Sequence, residues 1–93
     1  MTDKTTDDSL DAGLDAGRIA LTSRLKALRH ELFGERGGPE LARILGLPVR
    51  TMYNYESGVV IPGEVLVLLV ERTDVSPTWL LTGREPMLGS GTE

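Results

Sequence analysis

Four leucines, Leu21, Leu25, Leu28 and Leu32, recur at i, i+4, i+7 and i+11, the spacing of one apolar stripe on an α-helix. Arg24, Lys26, Arg29, His30 and Glu31 fall mostly off that stripe. The pattern predicts a helix from about Arg18 to Phe33, ended by Gly34. A shorter apolar set, Leu41, Ala42, Ile44 and Leu45, follows Gly37-Gly38-Pro39. Pro39 suits a helix start, where its missing N–H has no intrahelical partner to lose. Gly46 can take the left-handed conformation that ends this second helix, and Pro48 opens a third after a very short connection. At about 100° per residue, Met52 and Tyr55 share one side of that third helix, while Arg50, Tyr53, Asn54 and Ser57 point the other way. Gly58 ends it.

Val65 to Val70 is apolar at all six positions, a run that fits a buried strand or a buried helix. A lone strand has no pairing partner, so a helix over about Gly63 to Arg72 is expected. Ser76-Pro77 combines a serine cap with proline at the first helical position and predicts a last helix from about Pro77 to Thr82, closed by Gly83. The sum is an all-α fold of five helices with no sheet. Residues 1–17, rich in Asp, Gly and Thr, carry a short imperfect repeat at Leu10–Gly13 and Leu14–Gly17. They hold too little apolar surface to offset the entropy of ordering. The expected organisation is a disordered acidic tail at 1–17, a folded domain at 18–85 and a flexible C-terminal tail at 86–93, polar apart from Met87 and Leu88.

Charge sharpens this division. The 93 residues carry a formal net charge of -4, but the sign alternates along the chain. Asp3, Asp7, Asp8, Asp11 and Asp15 make residues 1–17 acidic. Arg18, Arg24, Lys26, Arg29, Arg36, Arg43 and Arg50 outnumber Glu31, Glu35 and Glu40, so residues 18–50 are basic. Residues 51–93 are acidic again. A basic stretch of this kind is the footprint of a polyanion-binding surface as readily as of ordinary solvated charge. Cysteine is absent and His30 is the single histidine, so neither a disulfide framework nor a metal site of the usual kind is expected. No apolar segment is long enough to span a bilayer, and the N-terminus lacks the apolar core of a signal peptide. A cytoplasmic protein without a membrane role is the expectation. No nucleophile with a base, no paired carboxylates at helical spacing and no phosphate loop after a strand can be found. Neither enzymatic activity, nor a cofactor, nor a small-molecule ligand is expected.

The run Gly38-Pro39-Glu40-Leu41-Ala42-Arg43-Ile44-Leu45-Gly46-Leu47-Pro48-Val49-Arg50-Thr51-Met52-Tyr53-Asn54-Tyr55-Glu56-Ser57-Gly58 resembles the helix-turn-helix of the phage-repressor (lambda-repressor-like) and Xre families. Ala42 is small where two helices would cross, Gly46 sits at the turn, and Leu41, Leu47, Met52 and Tyr55 would fill the angle between them. A second block, Val75-Ser76-Pro77-Thr78-Trp79-Leu80-Leu81-Thr82-Gly83, is similar to the last helix of the same families and stands at their usual separation. The resemblance covers residues 18–85. It implies a transcriptional regulator that binds double-stranded DNA, the helix starting near Pro48 entering the major groove.

By position, the resemblance assigns base contacts to Val49, Arg50 and Asn54, with Tyr53 facing the same way. The side chains themselves fit that role. Arg50 can donate a forked pair to a guanine edge, Asn54 can pair with adenine, and Val49 can meet a thymine methyl. Thr51 is expected to touch a phosphate or cap the helix start. Arg43, on the helix that crosses the backbone, is expected to meet phosphate, as is the backbone N–H of Gly38. The resemblance also implies an ion pair between Arg29 and Glu56 that orients the reading helix. Three positions depart from the family pattern: Gly38 stands where glutamine is usual, Val59-Val60-Ile61 where basic residues are, and Pro48 where a hydroxyl cap is. Fewer phosphate contacts predict a shallow salt dependence. One reading helix meets few base pairs, so a homodimer is expected, using Trp79, Leu80, Met87 and Leu88 with Val59–Ile61. The alternative is a protein-interaction module that keeps the fold without binding DNA.

Overall fold

The computed structural model describes residues 2–89, with side chains from Gly13 onward. Among these residues the chain forms five helices, α1 (Thr2–Phe33), α2 (Gly38–Leu45), α3 (Val49–Glu56), α4 (Gly63–Arg72) and α5 (Pro77–Thr82). No strand is formed among the described residues; Val75 and Leu88 make an isolated antiparallel bridge. The expected all-α architecture is therefore present.

The apolar stripe of α1 packs as its spacing requires. Leu25 and Leu28 are fully buried and Leu21 and Leu32 lie partly buried against the same core. Facing them are Leu41, Ala42 and Leu45 of α2, Met52 and Tyr55 of α3, Val65 and Leu69 of α4, and Val75, Trp79 and Leu80. Burial of this one contiguous cluster, at roughly 25 cal/mol per Å² of apolar area, holds the five helices together.

Two side chains tie helix ends across the fold. Arg24 of α1 donates from Nη1 to the Leu80 carbonyl at 3.1 Å, and Arg72 of α4 donates to the Ile44 carbonyl at 3.2 Å. Each satisfies a carbonyl that a helix terminus leaves without an intrahelical partner. Ser76 is the expected cap of α5, its Oγ accepting from Trp79 N at 3.2 Å.

Two features lie at the ends of the expected domain. The helical backbone of α1 starts at Thr2, whereas the leucine stripe places the start at Arg18 with a disordered tail before it. Adding residues to a formed helix needs no new nucleus, so backbone helicity can extend past the last tertiary contact. Residues 13–19 are exposed, and burial begins at Ala20 and Leu21. The side chains of Asp3, Asp7, Asp8 and Asp11 lie outside the described residues. At the other end, residues 86–89, expected to be flexible, are tied back to the segment before α5. Ser76 N donates to the Met87 carbonyl and Gly89 N to the Asp74 carbonyl, both at 2.8 Å. Met87 and Leu88 lie against the core, which is what gives two apolar residues in a polar segment their place.

Candidate nucleic-acid interface

The α2–turn–α3 unit is fixed from its inner side. Ala42, at 0% exposure, sits where α2 meets α3, and Leu41, Met52 and Tyr55 are buried around it with Leu47 partly buried. Gly46 ends α2 at φ 73°, a left-handed conformation that costs glycine little. The N–H of Leu47 then reaches back to the Ala42 carbonyl at 2.9 Å, as in a glycine-terminated helix end. Pro48, extended at φ -61° and ψ 146°, is the N-cap of α3 and gives no side-chain cap. Thr51 is half-buried in the first turn; of its two expected roles, the helix-start cap is not realised, because the capping position is Pro48.

With Met52 and Tyr55 turned inward, the opposite face of α3 is presented outward. Val49 is 38% and Tyr53 52% exposed, and Arg50, Asn54 and Ser57 are exposed beside them. These five positions fall within an arc of about 140° on the helix. The structure thus brings Val49, Arg50, Tyr53 and Asn54 onto one surface.

Arg29 anchors that helix to α1. Its Nε and Nη2 form a two-pronged pair with the Glu56 carboxylate at 3.1 and 2.9 Å, and the side chains are only 15% and 11% exposed. Hydrogen bonding to Glu56 raises the Arg29 pKa further above its ordinary value, against the opposing effect of burial. The same guanidinium donates from Nη1 to the carbonyls of Gly34 at 3.1 Å and Glu35 at 2.8 Å. One side chain therefore fixes both α3 and the turn that leads into α2. The second function left no mark in the sequence, because carbonyl acceptors carry no side-chain signature.

Two expected phosphate contacts are placed differently from one another. Arg43 is exposed on α2 and paired with Glu40 one turn earlier. Their hydrogen bond holds the Glu40 carboxyl below its usual range and raises Arg43. Gly38 is buried, with the Tyr53 ring against it: a Cβ there would come within 2.9 Å of Tyr53 Cε1. The start of α2 is thus covered by a side chain of α3. Beside it lies a cleft of about 400 Å³ lined by Arg29, Glu35, Arg36, Gly38, Pro39, Tyr53 and Glu56. Arg36, an exposed cation at this cleft, was not singled out by sequence reasoning, since a residue in an aperiodic turn has no face to assign.

Of the surface expected to mediate dimerisation, Trp79, Leu80 and Ile61 are core, and Met87 and Leu88 pack on it. Val59 and Val60 remain exposed, joined by Val67 and Leu81. No described helix is long and apolar enough to cross a membrane.

Residues 34–88 match the family described as the bacteriophage CI repressor helix-turn-helix domain. Comparison with curated proteins and with solved structures gave no match. The matched stretch takes in α2, the turn, α3, α4, α5 and the returning segment at Met87–Leu88, more than half of the chain. The chain belongs to the bacteriophage CI repressor helix-turn-helix family.

Proposed function

We infer from membership in this family that the chain is a DNA-binding regulator of the repressor type. We propose that it is sequence-specific, reading double-stranded DNA in the major groove with α3, and that it acts as a homodimer in the cytoplasm. The observation that carries the reading is the division of α3 into two faces. Met52 and Tyr55 are locked in the core, Glu56 is held by Arg29, and Val49, Arg50 and Asn54 are left outward. Arg50 suits guanine, Asn54 adenine and Val49 a thymine methyl. Arg43 and Thr51 are assigned to phosphate.

The homodimer draws support from the exposed apolar side chains Val67 and Leu81, 55% and 60% exposed, which line one shallow apolar groove with Leu66 and Val70. Exposed apolar groups gathered on one face mark an interaction surface. The same feature is what favours the alternative, an interaction module without DNA.

Arg50→Ala and Asn54→Ala test the assignment. Each is expected to weaken binding to the preferred duplex by about 1–3 kcal/mol and to relax preference at one base position. Thermal unfolding should be almost unchanged, because both side chains are exposed. Full affinity with an unaltered preferred sequence in both variants would remove α3 from base reading.

A further inference from the structure

Tyr53 stands apart from its neighbours on the outer face of α3. Although half exposed, it is braced. A Cβ built on Gly38 would meet Tyr53 Cε1 at 2.9 Å, Cδ1 at 3.6 Å and Cζ at 3.7 Å, so one edge of the ring rests on the glycine. An alanine there would push the ring off its seat, since Cβ atoms do not approach a ring carbon that closely. The seat lies on the α2 side of α3, in the cleft shared with Pro39 and Arg36. Arg36 offsets Glu35 at that cleft, and Arg29 is committed to Glu56.

In a helix-turn-helix the base edges are met by residues near the start of the second helix, while the first helix crosses the sugar–phosphate backbone. Val49 and Arg50 are the first two residues of α3. What sets Tyr53 apart is that its ring leans on the first residue of α2. Tyrosine hydroxyls are among the usual donors to DNA phosphate.

We propose that Tyr53 is a backbone contact. Its hydroxyl, positioned by the seat on Gly38, donates to a phosphate of the strand that α2 crosses and carries no base information. Gly38 serves the contact indirectly, by leaving room for the ring. The inference rests on the base-reading assignment of Arg50 and Asn54, and it gives Tyr53, which faces the same way, a different role.

Tyr53→Phe keeps the ring and removes the donor. Its affinity is measured on a duplex selected from a random-sequence library and on a scrambled duplex of the same length. A loss of roughly tenfold on both is expected, the size of a hydrogen bond to a charged group. The salt slope should not change, because no cation is removed. Gly38→Ala should lose a similar factor, and combining the two changes should add little, since both remove one contact. A changed preference at a single base position, or wild-type affinity on both duplexes, overturns the proposal. Arg50→Ala, run in parallel, separates the two levels. If it still relaxes one position while Tyr53→Phe is neutral, only the phosphate contact falls; if it too is neutral, base reading falls with it.

Discussion

Arg29 shows how much can hang on one side chain. It neutralises Glu56, holds the Gly34 and Glu35 carbonyls and sits mostly out of solvent. Glu56→Gln leaves a largely buried cation without its counter-ion, and a loss of about 3 kcal/mol in urea unfolding is expected, the low end for breaking a buried pair. A loss under half of that shows that water replaces the carboxylate. The pair at Glu40 and Arg43 behaves differently because it is exposed. Glu40 has a lowered folded pKa, so its contribution to stability is present above the ordinary carboxylate pKa and disappears as pH falls through the folded value. Solvent keeps that contribution small. On the proposed assignment of Arg43 to phosphate, its larger effect is on DNA, since Glu40 masks that cation. Glu40→Gln is expected to tighten binding on all sequences alike and steepen the salt slope by about one. An unchanged slope shows that Arg43 stays away from the backbone. The outward placement of Arg50 and Asn54 was legible from periodicity alone. The seat of Tyr53 on Gly38 was not, because it depends on the angle at which two helices meet, which no spacing along one helix reports.

At the scale of elements, boundaries set by glycine, proline and capping serine were readable: α4 and α5 run as expected, and Gly46 and Gly83 close their helices in the left-handed conformation. The apolar run Val65–Val70 is helical but not buried all round, since Val67 faces out; a continuous run hides which residue is left over for another surface. The start of α1 was not readable, because a helix can outrun its apolar stripe when no residue stops it. Leu28 tests the stripe itself. It is fully buried, and Leu28→Ala should cost about 2–5 kcal/mol by thermal or urea unfolding; a cost under half a kcal/mol would mean the site is not packed. The acidic residues upstream are expected to weaken binding. A chain starting at Gly17 lacks Asp3, Asp7, Asp8, Asp11 and Asp15, like charges that repel phosphate within a screening length of about 8 Å in physiological salt. Tighter binding at low salt, fading as salt rises, is expected; equal affinity at both salts discards the effect.

For the molecule as a whole, a net charge of -4 coexists with a DNA-binding fold because the cations are placed, not numerous. Arg36, Arg43 and Arg50 lie on and around the α2–turn–α3 unit. With so few, non-specific attraction is expected to be weak, and the proposed discrimination rests on base contacts and on symmetry. A two-fold dimer joined through the face that carries Val67 and Leu81 would present two copies of α3 to half-sites about 10 base pairs apart. Sedimentation of the free protein and of its DNA complex checks the stoichiometry; one chain per duplex at high concentration contradicts the dimer. The most direct test of sequence-specific reading is selection of bound duplexes from a random-sequence library by the intact chain, followed by sequencing. The account predicts enrichment of one short sequence repeated with two-fold symmetry at that spacing, lost when Arg50 and Asn54 are both replaced by alanine. A bound pool as random as the input would contradict it.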